Sequence, residues 1–214
     1  MVFKVVSKLI QFISSRYLRF AENEIWFGKE RVLICSLEQI VEQSYLSQKF
    51  GLDYQASVYL SAYKEGLEFT RGHTVPMKKL LNPVIKLSSE TLSSFGHCTI
   101  RTIKVNEKDM SMYIAGNSAA ATMYKKKYKS TTSPIDFILS GLFAGALECF
   151  SQKPAYCVEL KCSAQEDSTE CIWIAGSKEK VLDYTSRFFP EKTQFVEDVF
   201  DSIEKVKEKL EVIN

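Results

Sequence analysis

Apolar side chains fill nearly every position between Ser133 and Leu147: Ile135, Phe137, Ile138, Leu139, Leu142, Phe143, Ala144, Ala146 and Leu147. A helix that is apolar all round is buried all round, so this segment is expected to run through the middle of the fold. Ser133 is placed to cap it, Pro134 suits the first helical position, and Asp136 complements the helix N-terminus. Beyond Pro154 the pattern changes to two short β-like runs, residues 156–162 and 170–175, about a polar turn at 163–169. That alternation predicts a hairpin.

Other stretches show helical spacing. Val2, Val5, Val6, Leu9, Ile10 and Ile13 mark an amphipathic helix that packs on the body or on a partner subunit, or else lies on a membrane surface. Ser36 and Gln39 have capping-box spacing, so a helix is expected over 37–48, stopping before Gly51. Asp53 can cap the next, over 54–70, with a buried stripe of Ala56, Tyr59, Leu60, Tyr63 and Leu67 and an end at Gly72. Gly66 interrupts that stripe at roughly 1 kcal/mol against alanine, a cost that close approach of a helix or a ligand would justify. Phe195, Val199, Ile203, Val206 and Leu210 mark an amphipathic C-terminal helix over 193–212.

Short strands are expected at 16–20, 24–27 and 31–35, and at 98–105 and 110–115 around a turn. Pro83 splits the helical stretch over 75–92 in two. Residues 117–128, Ala-rich then basic, form a helix or a mobile segment. Helices, strands, helices, strands in that order predict an α+β fold. The chain divides into an N-terminal helix at 1–15, a body at 16–190 and a C-terminal helix at 191–214.

Composition narrows the function. The chain has 214 residues, 45% of them apolar, which fits one domain with extensions. Its 28 basic and 26 acidic residues nearly balance, so no broad nucleic-acid footprint is expected. The one basic cluster, Lys125, Lys126, Lys127 and Lys129 with Tyr124 and Tyr128, reads as solvated surface, or as a guide for an anion or nucleic acid. Six cysteines without a secretory signal point to thiols or metal ligands in a reducing, cytoplasmic setting. No run has the length of a membrane span. Catalytic triads, nucleophile elbows, phosphate loops and dinucleotide glycine patterns are absent from the sequence, which favours a binding protein over an enzyme. His73 and His97 have no metal-ligand spacing.

Four cysteines fall within residues 133–176: Cys149, Cys157, Cys162 and Cys171. Thiolates and a carboxylate on a hairpin suit zinc, and an ordered turn brings Cys162 and Cys171 together. Glu159 has the opposite strand parity from Cys162, so it joins them only where the strand bends or ends between the two. The other reading makes these cysteines small buried hydrophobes. Gly141 and Gly145, four apart on one helix face, provide either close helix packing or room for a ligand.

Taken together, the helix with Gly141 and Gly145, the run Val158-Glu159-x-x-Cys162, the turn, and Cys171-Ile172-Trp173-Ile174 resemble the signature of the vinyl-4-reductase-like (4VR) domain family. That family includes phenol- and toluene-sensing domains of bacterial activators and an accessory protein of bacteriochlorophyll synthesis. It shares a fold with vesicle-tethering TRAPP subunits. Weaker similarity reaches back to Arg16.

The resemblance implies an antiparallel sheet packed against helices and an apolar pocket between them. Gly141, Phe143, Gly145, Leu147, Tyr156 and Trp173, with Tyr59 and Tyr63 from the earlier helix, are the expected pocket walls. In the aromatic-sensing relatives the matching Glu and two Cys bind a structural zinc, with one more Cys from the upstream helix. Carried over, the ligands are Glu159, Cys162 and Cys171. The upstream position falls near Ser140, which is no cysteine, and Cys149 or Cys157 would have to substitute. The expected function is a sensor or carrier of a small hydrophobic or aromatic molecule, homodimeric and regulatory through a partner protein. The alternatives are an accessory or carrier protein of tetrapyrrole metabolism and a TRAPP-like structural adaptor.

Overall fold

The computed structural model describes residues 18–21, 24–27, 30–32, 36–74, 97–165 and 168–211. The expected helix at 2–13 and the Pro-split stretch at 75–92 lie outside them. Three short strands, β1 (Leu18–Ala21), β2 (Glu24–Phe27) and β3 (Glu30–Val32), pair antiparallel in that order.

Helix α1 (Leu37–Phe50) opens on the expected capping box: Gln39 N–H donates to Ser36 Oγ at 3.2 Å, and Ser36 N–H donates to Gln39 Oε1 at 3.0 Å. Gly51, at φ 83°, breaks the chain into α2 (Leu52–Thr74). The expected stop at Gly72 is corrected: α2 runs through it. One glycine weakens a helix by about 1 kcal/mol without ending it.

Strands β4 (Cys98–Asn106) and β5 (Ser111–Ser118) form a hairpin, and Ser118 caps α3 (Ala119–Tyr128). The central helix α4 is Phe137–Ser151. Here the expected start is corrected as well. Asp136, not Ser133, is the N-cap: its Oδ1 accepts from Leu139 N–H at 3.0 Å, so Pro134 lies outside the helix. β6 (Tyr156–Lys161) and β7 (Cys171–Gly176) form the second hairpin. Next come α5 (Lys178–Phe188), which the sequence pattern did not predict, a 3₁₀ turn at Pro190–Lys192, and α6 (Thr193–Glu211).

The four-stranded sheet is antiparallel in the order β4-β5-β7-β6, and the fold is α+β. Cross-strand partners Ile114, Trp173 and Glu159 stand side by side on β5, β7 and β6. They face α4, where the Phe143 ring meets Trp173 edge-on at 5.7 Å between centroids. The next residues along each strand face the other way, and Tyr113 meets Tyr184 of α5 there at 6.3 Å. With helices on both faces, every residue of β7 is buried. Helix α2 crosses α4 on its far side and α6 packs on α2, so α4 lies between the sheet and a helical layer. Burial of side chains such as Trp173, Leu147 and Phe200 contributes about 1.5–3 kcal/mol each for the large aliphatic and aromatic types.

The glycines are explained at the crossing of α2 and α4. A Cβ on Gly141 would stand 2.3 Å from Tyr59 O, and one on Gly145 would stand 2.1 Å from Tyr63 O. Gly66 reciprocates, with Leu142 O 2.5 Å from where its Cβ would be. Backbone meets backbone here, and only glycine leaves the space.

Candidate functional site

The site is made by an irregularity in β6. Glu159 pairs with Trp173, but the next pair is Lys161 with Ile172. Leu160 is therefore an extra residue, a β-bulge that shifts the alternation by one. One further step in the shifted register sets Cys162 opposite Cys171. The parity conflict between Glu159 and Cys162 is thereby removed. A Glu159 oxygen and the sulfurs of Cys162 and Cys171 lie within 4.8 Å of one another, and all three residues are buried. This is the one group among the described residues with metal-ligating donors so placed.

Each donor is held from behind. Glu159 Oε2 accepts from Ile135 N–H at 3.1 Å and Asp136 N–H at 2.9 Å, at the threshold of α4. Glu159 Oε1 has no hydrogen-bond partner among the described residues. Cys171 Sγ accepts from Ser163 N–H at 3.3 Å and lies 3.4 Å from Ser163 Oγ. The hairpin turn is fastened by Gln165, whose Oε1 accepts from Cys162 N–H at 2.9 Å and whose Nε2 donates to Thr132 O at 3.1 Å. Lys125 Nζ adds bonds to Ser163 O at 3.2 Å and Gln165 O at 2.9 Å. One lysine of the basic cluster thus serves the turn, and another, Lys127, pairs with Glu42.

The charges follow from this geometry. The Cys162 thiol donates to Cys171, which together with the Ser163 donors lowers Cys171 to about 6. Cys162 moves the opposite way, because its proton is held against Cys171 and because it is buried. Burial raises Glu159 well above the usual carboxylate range, and Cys171 and Asp136 raise it further.

Such a donor set fits zinc. Two sulfurs, one already favoured as thiolate, and a carboxylate oxygen lacking any other partner are borderline-soft ligands for a d¹⁰ ion. The amide bonds to Glu159 and Cys171 would orient and tune them. Cys149 and Cys157 do not belong to the group. Cys157 is buried one turn of the pleat earlier, its N–H on Tyr59 Oη at 3.2 Å. Ser140 Oγ donates to Asp136 O within the helix at 2.9 Å.

The expected pocket walls form two sets. Phe143 and Trp173 meet edge-on between α4 and the sheet, and Leu147 is fully buried in the same core. Trp173 Nε1 has no hydrogen-bond partner among the described residues. Tyr59 and Tyr63 stack at 6.5 Å on α2, and Tyr156 lies against Phe200 at 5.0 Å with its hydroxyl donating to Glu204. Gly141 and Gly145 face α2 and serve the helix crossing.

Asp136 escaped the sequence reading as a site residue. Its signal was its position three residues before Leu139, the N-cap spacing.

No protein-family model matches the chain, and no curated protein sequence does either. Among solved structures it is similar to the phenol-responsive sensory domain of the transcription activator PoxR, crystallised with phenol. The likeness has a TM-score of 0.64 at 14% identity and covers 81% of this chain and 90% of that one. Fold is what the two share at that identity. No helix among the described residues is long and apolar enough to cross a membrane.

Proposed function

We propose that this chain is a sensory or carrier domain of the 4VR type for a small aromatic or hydrophobic molecule, acting on a partner protein. The observation that supports it is the likeness, over most of both chains, to a domain described as phenol-responsive. Between α4 and the sheet, Phe143 and Trp173 offer an aromatic wall, and the unpartnered Trp173 N–H offers a polar handle for a hydroxyl or carbonyl. Zinc on Glu159, Cys162 and Cys171 would tie the β6–β7 hairpin to the start of α4 and stiffen one end of that wall. Structural zinc contributes its binding free energy to folding. Homodimerisation and a cytoplasmic setting belong to the same reading.

Titration with phenol and a panel of substituted phenols, followed by tryptophan emission and thermal unfolding, tests it. Saturable quenching is expected, with stabilisation approaching about 2.7 kcal/mol at a hundredfold excess over Kd. A folded, zinc-loaded protein indifferent to every aromatic up to its solubility limit would overturn the sensory reading.

A further inference from the structure

The cluster supplies three donors, whereas structural zinc sites close on four. Asp136 is a buried acid bonded directly to the cluster, and its carboxylate is not among the donors that already lie within 4.8 Å of one another. Its N–H sits on Glu159 Oε2 at 2.9 Å, which fixes its backbone beside the cluster. Its carboxylate is buried, 4% exposed, and only Oδ1 is committed to the helix cap. Oδ2 is bonded to Ser118 Oγ. Ser118 ends β5 two residues beyond Gly116, the cross-strand partner of Cys171, and so lies on the same face as the cluster. Asp136 is thus linked to Glu159 through its N–H and, through Ser118, to the end of the strand that pairs with Cys171.

The surrounding groups are acids. Glu159 and Cys157 come from β6, Cys162 from the hairpin turn, Cys171 from β7, and Cys98 from β4, where it is the cross-strand partner of Ser118. His97, half-buried and next to Cys98 in sequence, is the base whose charge acts on Asp136. The two carboxylates and the sulfurs of Cys162 and Cys171 are all buried, and a cation would compensate the charge of those that ionise. A serine hydroxyl is a neutral partner that Oδ2 can exchange for a cation.

From this we infer that Asp136 is the fourth zinc ligand, turning Oδ2 from Ser118 to the ion while Oδ1 continues to cap α4. The assignment rests on the zinc reading of the cluster and makes it a two-sulfur, two-oxygen site.

Cobalt(II) titration of the full chain tests it. Wild type should give the intense visible bands of a tetrahedral ion and sulfur-to-cobalt charge transfer from two thiolates. Asp136→Asn retains a good cap, and should still fold while losing at least about tenfold in cobalt and zinc affinity, with weakened visible bands. Asp136→Cys should raise the charge-transfer intensity by about half, as two sulfurs become three. Ser118→Ala frees Oδ2 and should leave affinity equal or higher. Wild-type affinity and spectrum in Asp136→Asn, or unchanged charge transfer in Asp136→Cys, would overturn the assignment. A wild-type protein that takes up no cobalt would sink the zinc reading itself, which the variants alone do not.

Discussion

Glu159 and Cys162 stand at odd spacing on one strand and point into the same buried cluster, because Leu160 is an extra residue in the pairing of β6 with β7. The carboxylate so placed is satisfied on one oxygen only. Without metal it is a buried acid raised by desolvation, by Cys171 and by Asp136. A raised folded-state value means its contribution is favourable below the unfolded value of a glutamate and is lost as pH climbs through the folded one. Glu159→Gln should therefore stabilise the metal-free protein at neutral pH by about 1–3 kcal/mol, with the gap narrowing toward pH 4.5. Cys171 is one of the groups that raise Glu159, so its thiolate is part of the difference between the two proteins. Urea unfolding in chelator across that range checks this. Equal stability of the two proteins at every pH would contradict it. With zinc present the order reverses, since a carboxamide is a poor ligand.

Metal affinity carries its own pH signature. Cys171 is lowered to about 6, so above that pH it has little proton left to release. Cys162 is shifted upward and gives up its proton on binding, and the proton that burial favours on Glu159 leaves to the extent it is held there. Zinc binding at neutral pH should release between about one and two protons per ion, and the logarithm of affinity should climb by the same number per pH unit. Calorimetric titration in buffers of differing ionisation heat measures the proton count. A count near three would contradict the preorganised Cys171 thiolate, and a count near zero would contradict the upward shift of Cys162.

Gly141 and Gly145 test packing against pocket. Either Gly141→Ala or Gly145→Ala drives a methyl into the backbone of α2, 2.3 Å and 2.1 Å from a carbonyl oxygen. Each should cost about 1–3 kcal/mol, as overpacking does, visible as a lower midpoint in urea. Unchanged or raised stability would mean that space is available beside α4 and would return these glycines to the pocket.

The sequence was most legible where periodicity decides. The largely apolar run before Leu147 is the buried central helix, Ser36 and Gln39 form their capping box, and residues 98–118 form a hairpin. Legibility failed where a tertiary contact chose among local options. Ser133, Pro134 and Asp136 all look like a helix start, and the hydrogen bonds of Asp136 to Leu139 and Glu159 selected the last. Helix α5 went unseen because its buried side is narrow, with Val181 and Thr185 the residues fully covered and lysines and aromatics around them. The bulge at Leu160 leaves no trace in the run Val158-Glu159-Leu160-Lys161, so the alternation rule set Glu159 against Cys162. The cysteines and glutamate themselves were legible by chemistry; that they meet was decided by register.

Native mass spectrometry of the full chain, purified without chelator, tests the metal-braced account most directly. The predicted result is one zinc per chain in the wild type and none in Cys162→Ala, with a small aromatic or apolar molecule retained or readily added. A folded wild-type protein that carries no zinc, and takes none up when it is supplied, would contradict the account.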